Sequence, residues 1–247
     1  ALLAAGCEIL YFPLRESEGF RLREEYLEYL SEDIDMIFLC SPNNPVGNVI
    51  DRELLYQILV RCSKKQICMV MDECFYEFLD SCEDHTLQKQ VAEYPNLFIV
   101  RAFTKMYAMP GLRLGYGISS DTELIGRMEE MRQPWSVSVI AQEAGAAAAR
   151  DTGHPVRTRE YIRKEREWML GQLTEIGITY YRPEANYIFI RSEFDLYEEL
   201  LRRGILIRDC SNYEGLEKGY YRFAVKRREE NQRLMEELRR MRWQDRS

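Results

Sequence analysis

Histidine is nearly absent: the 247 residues include two, His85 and His154. No Cys-x-x-Cys pair occurs either, although seven cysteines are scattered singly at positions 7, 40, 62, 68, 74, 82 and 210. Zinc sites need clustered Cys and His, and disulfide frameworks need an even set of cysteines. The scatter argues against both, and reduced thiols in a cytosolic protein are expected. Also lacking is any apolar run of the ~18 residues that a membrane-spanning helix requires. Basic charge is in deficit, with 34 Lys and Arg against 41 Asp and Glu and a formal net charge of −7, which argues against nucleic acid as a partner. With 14 Gly and 8 Pro the chain is neither collagen-like nor of low complexity. What is present, 46% hydrophobic and 30% charged residues, is the balance of a globular protein with room for one large domain or two modest ones. The opening Ala1-Leu2-Leu3-Ala4-Ala5-Gly6-Cys7 carries no signal-peptide pattern. It reads as the last turns of a helix stopped at Gly6, followed by a strand Glu8-Ile9-Leu10-Tyr11-Phe12, and so as a chain cut within a domain.

Strands alternate with helical patterns over the first half. Met36-Ile37-Phe38-Leu39-Cys40, Ile67-Cys68-Met69-Val70-Met71 and Leu97-Phe98-Ile99-Val100 are apolar throughout, as strands buried on both faces are. Helical segments are expected over 21–30 and 52–62, and Leu114-Gly115-Tyr116-Gly117-Ile118 reads as a further strand. This βαβα order implies a mostly parallel sheet covered by helices on both faces. From Asp121 the texture changes to helices over 121–132, 138–150 and 156–176, with a break at Gly153-His154-Pro155. A strand over 186–191, a helix over 194–203, short strands at 205–208 and 220–225, and an amphipathic helix over 229–243 follow. The second half thus reads as a smaller α+β unit.

Three places could carry chemistry. The turn Ser41-Pro42-Asn43-Asn44-Pro45-Val46-Gly47 follows a buried strand, and is either a rigid turn alone or a device fixing an Asn side chain where ligands of α/β sheets bind. Asp72 ends an apolar strand and is either the cap of the next helix or a carboxylate aimed at a cationic ligand nitrogen. Lys105 stands among Phe103, Met106, Tyr107 and Ala108, where desolvation would make it a usable amine nucleophile. Arg113 comes eight residues later.

In this order the residues resemble the fold-type I pyridoxal-phosphate enzymes, in the branch that includes histidinol-phosphate aminotransferase, and the resemblance runs along essentially the whole chain. It implies pyridoxal 5'-phosphate as cofactor, a mostly parallel α/β sheet with a smaller C-terminal α+β domain, and an N-terminally truncated chain. By the resemblance Lys105 would carry the cofactor, Asp72 would pair with its pyridinium nitrogen, and Asn44 would contact its phenolic oxygen and the substrate carboxylate. Thr104 and Arg113 would hold the cofactor phosphate, and Arg222 in Tyr220-Tyr221-Arg222-Phe223 would clamp the substrate α-carboxylate. The implied division is 1–120 as a partial large cofactor-binding domain, 121–150 as connecting helices, and 151–247 as the small domain.

Within this branch Met109-Pro110-Gly111-Leu112-Arg113, Gln133-Pro134-Trp135-Ser136-Val137 and Ile207-Arg208-Asp209-Cys210-Ser211-Asn212-Tyr213 look closer to decarboxylases of O-phospho-L-threonine than to aminotransferases. Those lyases make aminopropanol phosphate for cobalamin biosynthesis, and Arg208 would then bind the substrate phosphate. Phe75 stands where aminotransferases commonly have Tyr, which fits the lyase, and Ala102 stands where a phosphate-binding hydroxyl is common. The implied enzyme is a cytoplasmic homodimer when full length, with a small phosphorylated amino-acid substrate, no metal and no membrane or nucleic-acid partner. The family's phosphate loop and ring-stacking aromatic would precede Ala1, so this chain alone is expected to be inactive. The alternatives are an aminotransferase on a substrate such as histidinol phosphate, or an inactive fragment of the fold.

Overall fold

The computed structural model describes residues 2–244, so Ala1 and residues 245–247, at the ends of the expected domains, lie outside the described residues. After a single helical turn, α1 (Tyr26–Tyr29), the first sheet forms from β1 (Met36–Cys40), β2 (Cys68–Asp72), β3 (Leu97–Ala102) and β4 (Gly115–Ile118), in that spatial order. β1, β2 and β3 are parallel; β4 returns antiparallel to β3. The crossover from β1 to β2 is α2 (Arg52–Lys64). Its Leu54, Leu55, Ile58, Leu59 and Cys62 recur at helical spacing and are all buried. Asp51 Oδ1 caps it, accepting from the backbone N–H groups of Glu53 at 3.0 Å and Leu54 at 3.1 Å.

Three expectations fail in this half. Residues 8–12 form no strand: they run as coil with Leu10 and Tyr11 exposed, and Phe12 turns inward, edge-on to Tyr26 at 4.9 Å and Tyr29 at 4.8 Å. A strand exists only through a neighbouring ladder, and this segment meets none among the described residues. The helix over 21–30 shrinks to α1, whose N-cap position, Glu25, makes no side-chain capping bond. β1 is buried on one face only, since Ile37 and Leu39 point inward while Met36 and Phe38 are 45% and 55% exposed.

The second half opens with α3 (Thr122–Met131) and α4 (Val139–Arg150), capped by the side chains of Asp121 and Ser138, and continues into the long α5 (Gly153–Ile176). The expected break between the two helices is present at Asp151-Thr152, and Gly153-His154-Pro155 forms the first turn of α5. Pro155 falls in the first turn, where its missing N–H has no intrahelical acceptor to satisfy. A second sheet holds β5 (Thr179–Tyr181), β6 (Tyr187–Arg191), β7 (Arg208–Asp209) and β8 (Tyr220–Ala224) in the order β5-β6-β8-β7, antiparallel throughout. β5 was not anticipated from the sequence. α6 (Leu196–Arg202) lies between β6 and β7, and α7 (Arg228–Gln244) packs on α5. There Glu165, 4% exposed, accepts from Arg228 Nη2 at 2.7 Å and Asn231 Nδ2 at 2.9 Å. Phe75, Phe78 and Met106 from the first half share one core with Met169, Leu173, Ile188 and Phe223 from the second. Among the described residues no helix is long and apolar enough to cross a membrane.

The segment before α1 is fastened to the second sheet. Glu16 accepts hydrogen bonds from Tyr181 Oη, from Tyr220 Oη at 2.9 Å and from Arg191 Nη1 at 2.9 Å, and Phe20 inserts among the rings of Tyr181, Phe189 and Tyr220. The Tyr181 hydrogen bond, with those of Tyr220 and Arg191, holds the Glu16 carboxyl below its ordinary 4.5. A carboxyl depressed on folding contributes stability that is present above its unfolded value and is lost as pH falls through the lower folded one. Hydrogen exchange at the Phe20 amide, bonded to the Arg15 carbonyl at 2.9 Å, is therefore expected to accelerate below pH 4.5 once corrected for intrinsic rates. Glu16→Gln should loosen the same amide at neutral pH. Unchanged protection in that variant would contradict the clamp.

Candidate active site

Because β1, β2 and β3 are parallel, their carboxyl ends share one edge of the first sheet. The Asn44 turn leaves β1, Asp72 closes β2, and Thr104 and Lys105 follow β3. The turn is held from within by Gly47 N–H to the Asn43 carbonyl at 2.6 Å, and the 41–42 and 44–45 peptide bonds are cis. It is docked on the link between β5 and β6: Glu184 N–H donates to the Gly47 carbonyl at 2.7 Å, and Tyr187 Oη donates to the Asn43 carbonyl at 2.6 Å. Gly47 has φ +88, and a Cβ there would stand 2.9 Å from Pro183 Cβ and 3.2 Å from the Tyr187 ring. The close approach of the two units at this point requires glycine.

Across that junction, Asn44 Oδ1 accepts from Arg222 Nη1 and from Tyr213 Oη, the latter at 3.3 Å. With its oxygen engaged there, the Asn44 amide has its NH₂ turned to the other side. The Arg222 guanidinium lies 5.0 Å from the Tyr187 ring centroid, Tyr187 meets Phe75 edge-to-face at 4.9 Å, and Lys105 Nζ stands 5.4 Å from the Phe75 centroid. An unbroken line of contacts thus joins Lys105, Phe75, Tyr187, Arg222 and Asn44.

Asp72 Oδ1 accepts from the Cys74 N–H at 2.9 Å, so the carboxylate also braces the turn that leaves β2. Burial, reinforced by the Asp72 carboxylate, pushes the Cys40 thiol up to about 12. Cys74 likewise rises to about 12, from burial first and Asp72 second, with the Lys105 ammonium opposing. The Cys74 thiol therefore lies within the fields of both Asp72 and Lys105. Both thiols stay protonated at neutral pH and are inert as nucleophiles.

One expectation is corrected here: Lys105 is exposed rather than desolvated. Met106 takes the inward position, and Phe103 and Tyr107 pack on each other at 5.3 Å instead of enclosing the amine. Thr104 is half-buried beside it. Arg113 is exposed, with φ 51 and Nη1 donating to the Pro110 carbonyl at 3.1 Å. Arg208 stands opposite Arg222 in the β7–β8 ladder and donates to Asn212 Oδ1 at 2.7 Å. Asn44, Asp72, Lys105 and Arg222 are thus brought together, Arg208 joins them through its strand pairing, and Thr104 and Arg113 occupy the loop after β3 without a hydrogen bond to the other five among the described residues. Trp135, quoted above as a mark of the lyases, is 95% exposed on the link between α3 and α4.

Sequence reasoning missed two supports. Tyr187 and Tyr213 tie the Asn44 turn to the second sheet, and no local pattern marks either residue. Behind the site Glu73 Oε2 accepts from Arg101 Nη2 at 2.7 Å, Arg101 Nε at 3.0 Å and Thr86 Oγ1 at 2.9 Å, while the Arg101 guanidinium stacks 3.7 Å from the Tyr76 centroid. This pair is almost wholly buried and joins the end of β2 to β3.

An amine, a carboxylate and an amide at one sheet edge, with Thr104 and Arg113 on the following loop, form a donor set that fits a flat, cationic heteroaromatic ring bearing a carbonyl and a phosphate. The chain is 39% identical over 243 residues to the threonine-phosphate decarboxylase of Salmonella typhimurium, covering 97% of this chain and 66% of that protein. It is 34% identical to histidinol-phosphate aminotransferase 2 of Archaeoglobus fulgidus, covering 90% of this chain and 62% of that one. Among solved structures, the histidinol-phosphate aminotransferase from Clostridium acetobutylicum superposes with a TM-score of 0.93 at 29% identity, over 98% of this chain and 74% of that chain. The chain spans about two thirds of the length of the curated relatives it matches. The model of the class I and II aminotransferases matches residues 1–238, all the elements described above except the end of α7, and the chain belongs to that family.

Proposed function

We propose that the full-length protein is a cytoplasmic, homodimeric carboxy-lyase that converts O-phospho-L-threonine to aminopropanol phosphate. The observation that carries this reading is the pair of guanidinium groups on β7 and β8. Arg208 and Arg222 are directly opposite in the ladder, yet one is held by Asn212 and the other by Asn44, which leaves two separate cationic positions. A substrate with a phosphate at one end and a carboxylate at the other uses both. Histidinol phosphate, the amino donor of the alternative transaminase, offers a phosphate and no carboxylate, but its acceptor 2-oxoglutarate carries two carboxylates that would use the same two positions. The similarity to threonine-phosphate decarboxylase favours the lyase.

The family's cofactor is pyridoxal phosphate, and the residues present suit it. Lys105 would hold it through its amine, Asp72 would keep its ring nitrogen protonated, Asn44 would donate to its phenolic oxygen, and Thr104 and Arg113 would bind its phosphate. When bound, the cofactor supplies the electron sink for breaking a bond at the substrate α-carbon. Arg222, with the Asn44 amide, orients the substrate carboxylate, and Arg208 anchors the substrate phosphate at the far end. With both ends fixed, the Cα–carboxylate bond has one orientation available, and positioning of this kind selects which bond breaks. Carbon dioxide leaves and a proton takes its place at Cα; the Lys105 amine would deliver it.

The test is carbon dioxide release from O-phospho-L-threonine by the full-length protein, run beside amino transfer from histidinol phosphate to 2-oxoglutarate. Carbon dioxide release without transfer is expected. Efficient transfer without carbon dioxide would assign the protein to the transaminases.

A further inference from the structure

We infer that Asn212 and Tyr213 set the separation between the two anion-binding arginines, Asn212 giving specificity for a phosphorylated ligand and Tyr213 the affinity of the carboxylate end. The inference rests on the reading of Arg208 and Arg222 given above. Two like charges directly opposite on neighbouring strands repel, and left to themselves would splay into solvent or compete for one bound anion. Here a single loop disposes of both. Asn212 Oδ1 accepts from Arg208 Nη2 at 2.7 Å, and the next residue, Tyr213, donates from Oη to Asn44 Oδ1 at 3.3 Å. Asn44 Oδ1 in turn accepts from Arg222. Adjacent residues of one loop therefore reach one guanidinium directly and the other through Asn44, closing a ring with the two strands.

The loop is itself braced. Cys210 N–H donates to the Tyr220 carbonyl at 2.9 Å, Ser211 N–H to Asp209 Oδ1 at 2.9 Å, Tyr213 N–H to the Cys210 carbonyl at 3.1 Å, and Leu216 N–H to the Tyr213 carbonyl at 3.0 Å. Cys210 is fully buried at its base. The Tyr213 ring also lies beneath the Arg208 guanidinium, 5.9 Å from its centroid. A spacer built in this way favours a ligand with two anionic groups a fixed distance apart over a ligand with one. It also fixes the Asn44 amide with its oxygen toward Arg222, so that the NH₂ faces the ligand. Asn212 and Tyr213 are positioning residues: Asn212 acts on the phosphate end and Tyr213 on the carboxylate end.

The experiment uses the full-length protein carrying Lys105→Ala, so that ligands bind without turnover. O-phospho-L-threonine and L-threonine are titrated calorimetrically into this background and into the same background with Asn212→Ala, Tyr213→Phe or Arg208→Ala. Thermal unfolding of each variant confirms the fold. Asn212→Ala is expected to weaken O-phospho-L-threonine by about ten-fold and L-threonine by less than about two-fold, because a guanidinium freed from its partner is no longer preorganised for phosphate. Tyr213→Phe should weaken both ligands together, by about three- to ten-fold, since the hydroxyl acts on the shared carboxylate end. A merely structural role of Asn212 would lower the unfolding temperature and leave the ratio between the two ligands unchanged, and a merely structural role of Tyr213 would lower the unfolding temperature, which the positioning role leaves in place. If Arg208→Ala abolishes the preference for the phosphorylated ligand while Asn212→Ala and Tyr213→Phe leave both affinities intact, the inference falls and the assignment of Arg208 stands. If the unsubstituted background binds both ligands equally, both fall.

Discussion

Lys105→Ala in the full-length protein is expected to lower carbon dioxide release from O-phospho-L-threonine by roughly 10³- to 10⁴-fold, the upper range for removing a group that transfers protons in the transition state. Neither nearby thiol can replace the amine as a nucleophile, since burial, with Asp72, holds both protonated. Lys105→Arg should be no better, because a guanidinium keeps its charge in water and offers no free electron pair. A covalent readout accompanies the rate. Borohydride reduction of the loaded wild-type protein should add the reduced cofactor's mass to the peptide containing Lys105, and should add nothing to that peptide in Lys105→Ala. Label on another lysine would displace Lys105 from its role.

The largest loss of stability is expected from Arg101→Met. It removes the cation that satisfies Glu73 Oε2 and leaves a carboxylate at a position 1% exposed, where Glu73 Oε1 already has no hydrogen-bond partner. Breaking a buried pair from one side costs about 3–5 kcal/mol, since the remaining charge keeps its desolvation penalty without compensation. Urea unfolding should report that loss. The double variant Glu73→Leu/Arg101→Met should recover most of it, because no charge is then stranded. A double variant as unstable as the single one would show that the Arg101 stem and its stacking on Tyr76, rather than the ion pair, hold β2 to β3.

How much of this was legible in the sequence follows the range of the interactions. α2 was legible because its buried positions and its Asp51 cap are all within one segment. β2 and β3 were legible as apolar runs. The single-faced burial of β1 was not, because whether Met36 and Phe38 are covered depends on what packs across the sheet. The run at 8–12 has the composition of a strand, but a strand is a property of a pair. Gly153-His154-Pro155 marked the boundary between α4 and α5, but placed the start of α5 three residues late, because the letters alone do not say that proline here sits inside the first turn. Asn44, Asp72, Lys105 and Arg222 could be nominated from their order and from the resemblance to a family. Tyr187 and Tyr213 could not, since each acts on the Asn44 turn from more than a hundred residues away. The exposure of Lys105 was misread for a related reason: apolar neighbours in sequence need not be neighbours around the side chain.

The shortness of β7 gives substrate choice an unusual address. β7 has two residues, Arg208 and Asp209, and lies at the outer edge of the second sheet, paired to β8 alone. Side chains alternate faces along a strand, so sliding β7 by one residue would turn Arg208 away from Arg222 and present Asp209 in its place. A cationic position would become an anionic one, and the Tyr213 hydroxyl on the loop that follows would shift against Asn44, with Lys105 and Asp72 on the first sheet left where they are. On the proposed roles of Arg208 and Arg222, insertions or deletions in the neighbouring loops would change ligand preference, and with it the orientation of the bonds at the substrate α-carbon. Laboratory libraries that vary loop length around 203–207, ahead of β7, are a route to new amino-acid substrates that leaves β1, β2 and β3 untouched.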